Sequence, residues 1–97
     1  MEKSFPDYVR NTAFKKCSGE RIGWANISAE ILNNDPSLCQ RLLHLDPQAM
    51  NSLRHQLTEN GKRLRKKRGY TTAGITRNVT LFFKQNLLPK IKEYNGR

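Results

Sequence analysis

Between Lys62 and Arg68 the chain reads Lys-Arg-Leu-Arg-Lys-Lys-Arg, six cations in seven residues. Charges of one sign packed this closely repel one another, so a fold that keeps them together implies a negative partner that neutralises them. Phosphate is the natural one. Each phosphate contacted releases condensed counterions, and log affinity for duplex DNA falls against log salt by about 0.9 per contact. Arg63, Arg65 and Arg68 add planar forks that bind phosphate or a guanine edge through two hydrogen bonds. Lys62, Lys66 and Lys67 act as point charges. Tyr70 follows the run, where an aromatic ring among cations can stack on an unpaired base; a tyrosine that caps the core at a helix start is the blander reading. Arg54, Arg77 and Lys84 would extend the same surface. A solvated loop that keeps the protein soluble would use these residues too, as would a nuclear import signal in a eukaryotic source.

A second group of residues could read bases. Over 27–43, Ala29 supplies the small residue of a helix-turn-helix and Leu32 the apolar residue three positions on. Asn33-Asn34 would make the turn, Asp35-Pro36 would start the second helix, and Cys39 and Leu42 would face inward. The exposed face of that second helix would then present Ser37, Gln40, Arg41 and His44. Asn34 departs from the pattern, which wants an apolar residue there, and only Arg41 carries a firm charge. An ordinary pair of core helices gives the same spacing.

Other chemistries lack their residues. The chain has no phosphate-cradling glycine loop, no nucleophile elbow and no paired-carboxylate motif. Its eight acidic residues are scattered. His44 and His55 have no acidic or thiol neighbours to complete a metal set. No enzymatic activity, cofactor or metal is therefore expected. Cys17 and Cys39 fall on different expected helices and read as two reduced thiols in a cytosolic-type compartment, with a single disulfide between them as the alternative.

The charge distribution supports the phosphate reading. The chain has 97 residues, a formal net charge of +10 and a pI near 10.1. Residues 1–50 carry six basic groups (Lys3, Arg10, Lys15, Lys16, Arg21, Arg41) and six acidic ones (Glu2, Asp7, Glu20, Glu30, Asp35, Asp46), and so sum to zero. Residues 51–97 carry twelve basic groups against Glu59 and Glu93, which gives +10. A chain built this way meets phosphate with one surface and packs, or dimerises, with the other.

The elements that must hold these residues are helical. Ser4-Phe5-Pro6-Asp7 is a helix start, with Ser4 as cap and Pro6 in the first turn. Phe5, Tyr8, Val9, Ala13, Phe14 and Cys17 then recur at helical spacing, and Ser18-Gly19 ends the segment. A short helix is expected from Asn26 or Ser28 to Leu32, with Asn33-Asn34 breaking it. Asp35-Pro36 and Asp46-Pro47 are two copies of one start signal, since Asp caps and Pro takes the first helical position, where its missing N–H costs nothing. Asn60-Gly61 reads as a C-terminal stop, although Leu64 stays in phase and the helix could continue toward Arg68. Ile75, Val79, Phe82, Phe83 and Leu87 share one helical face, which favours a helix over the strand that β-branched and aromatic content would also allow. Pro89 should end or kink it. Trp24 reads as a core anchor, and Phe82-Phe83 as core or a dimer seam.

The expected whole is an all-α protein, residues 1–97 forming one small domain of four to five helices, with a helix-turn-helix at 27–43 and with 62–68 as a loop or helix extension. An apolar content of 36% fills one modest core, and a homodimer sharing that core fits a chain of this size. No stretch is long and apolar enough for a membrane span, and no apolar leader core is evident, so an intracellular site is expected, in cytoplasm or nucleoid, or in the nucleus of a eukaryote. Asn26-Ile27-Ser28 and Asn78-Val79-Thr80 match the glycosylation sequon by chance on that reading. The composition and motifs point to a non-enzymatic nucleic-acid-binding protein that regulates transcription or replication. DNA is favoured over RNA because of the helix-turn-helix spacing and the lack of an aromatic-rich sheet. The alternative is an adaptor or inhibitor that docks on an acidic surface of a protein partner.

Overall fold

The computed structural model of the chain describes residues 4–12, 21–65 and 69–95, without the side chains of 21, 22 and 65. All regular structure among these residues is helical: α1 (Phe5–Asn11), α2 (Arg21–Asn34), α3 (Pro36–Leu43), α4 (Pro47–Arg65), α5 (Thr72–Phe82) and α6 (Leu88–Asn95), with a π-helical turn (Phe83–Leu87) joining the last two. The all-α expectation holds. No described helix is long and apolar enough to cross a membrane.

Helix starts follow the capping residues. Ser4 Oγ accepts from the Asp7 N–H at 3.4 Å, Asp35 Oδ1 from the Leu38 N–H at 3.1 Å, Asp46 Oδ1 from the Gln48 N–H at 3.0 Å and Thr71 Oγ1 from the Gly74 N–H at 3.0 Å. Each satisfies a donor that the first helical turn leaves without an intrahelical partner. Both Asp-Pro dipeptides therefore act as read from the sequence.

Helix boundaries differ from expectation in two places, and two alternatives left open by the sequence are resolved in favour of continuation. First, α2 is already helical from Arg21, ahead of both Asn26 and Ser28. The buried Ser28 hydroxyl caps nothing and instead donates to the Trp24 carbonyl one turn back, at 2.7 Å, a bond open to serine inside a helix. Second, Asn33 and Asn34 are the last residues of α2, and the break falls on Asp35 alone, at φ −137°, ψ 81°. The proline ring of Pro36 pushes the residue before it out of the helical region. Third, α4 runs through Asn60-Gly61 to Arg65, so the basic run begins as a helix extension. Gly61 is there for packing. A Cβ on it would lie 2.5 Å from Cη2 of Trp24 and 2.8 Å from Cγ2 of Ile75, so only a glycine lets α4 sit this close to α2 and α5. Fourth, Pro89 does not end the last helix, which continues to Asn95. The π turn before it, where the Leu88 N–H donates to the Phe83 carbonyl, widens the coil and relieves the clash of the proline ring with the carbonyl four residues back. Residues 75–82 are helix and not strand. Ala13, Phe14, Cys17 and Ser18-Gly19, on which the expected length of the first helix rested, lie outside the described residues.

One core joins these elements. Trp24, Ala29 and Leu32 from α2, Leu38 and Leu42 from α3, Leu53 and Leu57 from α4, Ile75, Val79 and Phe82 from α5, and Leu87 and Ile91 beyond it are all buried. At about 25 cal/mol per Å² of apolar surface, each large side chain removed from water contributes roughly 1.5–3 kcal/mol before its ordering entropy is counted. α1 closes one end. Phe5, Tyr8 and Tyr94 cluster with ring centroids 5.2–6.4 Å apart, and the Tyr8 hydroxyl donates to Glu93 Oε1 at 2.7 Å. This ties α1 to α6.

The corner between α3 and α4 holds the one positive-φ residue other than glycine among those described, Leu45 at φ 59°. The Leu45 N–H donates to the Leu42 carbonyl at 2.9 Å and the Asp46 N–H to the Arg41 carbonyl at 3.1 Å. These are the two bonds of a Schellman cap, in which glycine is usual.

Candidate nucleic-acid interface

The basic residues named from the sequence separate into distinct environments. Lys62 and Arg63 stand on the last two turns of α4. Lys62 pairs with Glu59 at 3.2 Å, while Arg63 is exposed and donates to Asn60 Oδ1 at 2.7 Å. Arg65 is the last described residue of the helix, and its side chain is not described. Lys66, Lys67 and Arg68 lie outside the described residues. The chain returns at Gly69, with φ +82°, a conformation that suits glycine. Tyr70 follows it, 38% exposed, and Leu64 within the run is 53% exposed.

Arg77 and Lys84 are both exposed, on α5 and in the π turn. They stand seven residues apart, two turns of one face. Arg54 is different. It is half-buried, its guanidinium lies over the Phe83 ring at 5.8 Å from the centroid, and it donates to Asn51 Oδ1. Its Nε is buried with no hydrogen-bond partner among the described residues. Arg54 packs α4 against the π turn, and little of its charge faces outward.

Carboxylates sort the cations further. Among the described residues Asp7 holds Arg10 at 3.8 Å, Asp46 holds Arg41 at 2.9 Å, Glu59 holds Lys62 at 3.2 Å and Glu93 holds Lys90 at 3.2 Å. Arg63, Arg77, Lys84 and Lys92 are exposed and have no such partner there. The cause is legible in the chain. From Asn60 through Lys92 there is no Asp or Glu, and ten basic residues (Lys62, Arg63, Arg65, Lys66, Lys67, Arg68, Arg77, Lys84, Lys90, Lys92) fall in that stretch. Counting charge by halves hides this gap between Glu59 and Glu93; a scan for acid-free stretches finds it.

The base-reading candidates on α3 sit in another setting. Ser37, Gln40, Arg41 and His44 are all exposed, and of the residues that the helix-turn-helix spacing turns inward Ala29, Leu32 and Leu42 are buried while Cys39 is half-buried. Acids flank this face, however. Asp35 caps its start and Asp46 follows its end. Arg41 is held by Asp46 and also donates to Gln48 Oε1 at 3.5 Å. The Arg41 hydrogen bond, followed by the Gln48 N–H, holds the Asp46 carboxyl below the usual carboxylate range. Burial pushes the Cys39 thiol up, so it stays protonated at neutral pH and is a poor nucleophile. Cys17 lies outside the described residues. No group of His, Cys, Asp or Glu among the described residues is arranged to hold a metal ion.

Beyond the shared core, the two halves of the chain also meet at a groove that the sequence did not signal. A groove of about 380 Å³ runs between α2 and α4, lined by Glu30, Asn34 and Asp35 on one side and by Gln56, Asn60 and Arg63 on the other, with Ile27 and Ile31 at its floor. Arg63, the first arginine of the basic run, thus stands beside the α2–α3 turn, with the Glu30 and Asp35 carboxylates across the groove from it. The chain matches no protein-family model, no curated protein and no solved structure.

Proposed function

We propose that this chain is a non-enzymatic nucleic-acid-binding protein, favouring DNA, that contacts phosphates through the corner between α4 and α5 and serves as a regulator of transcription or replication. The observation that carries the reading is the stretch of ten cations without an acid from Asn60 to Lys92, together with the exposure of Arg63, Arg77 and Lys84, none of which has a carboxylate partner among the described residues. A cation already matched to a carboxylate gains little from a phosphate. One left free at the surface gains counterion release as well as charge neutralisation.

The test is salt-resolved binding to duplex DNA, single-stranded DNA and duplex RNA. Changing Lys66, Lys67 and Arg68 together to Ala should reduce the slope of log affinity against log salt on duplex DNA by about 2.7, three contacts at about 0.9 each. An unchanged slope would remove that segment from the site. A second reading draws on Leu64, an exposed leucine beside the cations, which suits an adaptor that docks on an acidic and partly apolar protein surface. If heparin and duplex DNA both fail to bind at about 100 mM salt, where the Debye length is about 10 Å, that second reading replaces the first.

A further inference from the structure

Resting on the nucleic-acid reading above, we infer that the helix which reads bases is α5, lying in the major groove of duplex DNA with Arg77 as its principal base contact, and that α3 does not read them. The base reader must be a helix that projects from the phosphate-binding corner. It must present hydrogen-bonding side chains on a face free of negative charge, and it must be held rigidly from behind. α5 meets these conditions. It begins at Thr72, straight after the basic run and Tyr70. Ile75, Val79 and Phe82 bury its inner face, and Gly61 of α4 lets it seat closely.

Its outer face carries Thr72, Ala73, Thr76 and Arg77 in its first two turns, then Thr80, half-buried, and Lys84 beyond the helix end. Arg77 and Lys84 are the charges of this face, and neither has a carboxylate partner among the described residues. A helix with its side chains is about 10–12 Å across and the major groove about 12 Å wide, so short side chains around Arg77 allow the backbone to approach base edges. Two of these threonines have their proton already committed. Thr76 Oγ1 donates to the Thr72 carbonyl at 3.0 Å and Thr80 Oγ1 to the Thr76 carbonyl at 2.9 Å. They offer an acceptor oxygen and a methyl outward. That chemistry suits an adenine or cytosine amino group and the thymine methyl, while the Arg77 fork suits guanine O6 and N7. By contrast, α3 presents one arginine, already bound by Asp46, between Asp35 and Asp46.

The experiment is selection from a random duplex DNA pool with the wild-type protein, followed by titration of the enriched duplex and of the unselected pool. Arg77→Lys keeps the charge and loses the two-pronged fork. It should leave binding to the pool and the salt slope unchanged and should weaken binding to the enriched duplex by about 5- to 150-fold, the range for one bidentate base contact. Thr76→Ala should relax the preference at a neighbouring base pair. Both positions are exposed, and far-UV circular dichroism checks that each variant folds as wild type does. The inference is overturned if Arg77→Lys binds both duplexes like wild type, if Gln40→Ala on α3 erases the preference instead, or if selection enriches no sequence although the pool binds. Failure of the wild type to bind any nucleic acid would overturn the parent reading and this one with it.

Discussion

Gly61 offers the sharpest check on the packing that positions the interface. Helix propensity alone predicts that Gly61→Ala stabilises, because glycine inside a helix costs about 1 kcal/mol relative to alanine. The structure predicts the opposite. The new methyl would lie 2.5 Å from Cη2 of Trp24 and 2.8 Å from Cγ2 of Ile75. Carbon pairs rest at about 3.5–4.0 Å, so two neighbours must each yield by roughly 1 Å. Neither has room: Trp24 is 0% exposed and Ile75 1%. Overpacking a closed core costs about 1–3 kcal/mol, and two contacts this short on buried partners place the cost near the upper end. Subtracting the propensity gain leaves a loss of about 2 kcal/mol. At about 4–8 °C per kcal/mol for a domain of this size, Tm should fall by about 8–16 °C. Trp24 is the only tryptophan, so its fluorescence reports the transition at the site of the clash. Urea unfolding gives the same difference independently of heat. A variant as stable as wild type, or more stable, would show that α4 does not pass between Trp24 and Ile75 as described.

Three further predictions follow from other parts of the molecule. Leu45→Gly should stabilise by about 0.5–1 kcal/mol, read as a rise in the urea midpoint, because the left-handed conformation at φ 59° costs a leucine about 1–2 kcal/mol and glycine returns part of that gain through its larger unfolded entropy. Arg54→Met should lower stability through loss of the Phe83 contact while leaving the salt slope of DNA binding within one contact of wild type; a drop of a full contact or more would place its charge on the binding surface. Asp46→Asn keeps the helix cap and removes the charge that Arg41 holds. The folded Asp46 carboxyl lies below its unfolded value, so the contribution is present above the unfolded value and lost as pH falls through the folded one. The variant should therefore be slightly less stable than wild type at neutral pH, and the difference should vanish in acid below the carboxylate range.

Much of the fold was legible because helix starts are local. A capping Asp and the proline that follows it act within one turn, and the Asp35-Pro36 and Asp46-Pro47 starts stand where their residue types put them. Helix ends were less legible because distant contacts decide them. Nothing near Asn60-Gly61 in sequence tells a stop signal from a close approach; Trp24 and Ile75 settle it, from 37 residues before and 14 after. Pro89 is similar, since the π turn that admits it depends on the burial of Phe83, Asn86 and Leu87. The candidate site divides the same way. That the C-terminal half is basic needs only counting. That the Arg54 guanidinium lies over Phe83 while Arg77 is exposed, with no carboxylate partner among the described residues, depends on how α4 crosses α5 and the π turn.

That crossing also resolves how a neutral half and a basic half become two regions of one molecule. α4 starts at Asp46-Pro47, inside the acid-balanced part of the chain, and ends at Arg65, inside the run of cations. Its 19 residues span about 28 Å at 1.5 Å per residue. The asymmetry in sequence thus becomes a gradient along one helix, with Asp46 and Arg41 paired near its start and Arg63, without a carboxylate partner among the described residues, near its finish. The same helix carries Gly61 one turn before that finish, so the residue that sets how closely α5 packs also sets where the basic run leaves the core. A change that pushed α4 and α5 apart would therefore move the proposed phosphate-binding corner relative to the face of α5 that bears Arg77. On this argument Gly61→Ala should weaken binding to a selected duplex more than binding to the random pool, even at a temperature where the variant remains folded.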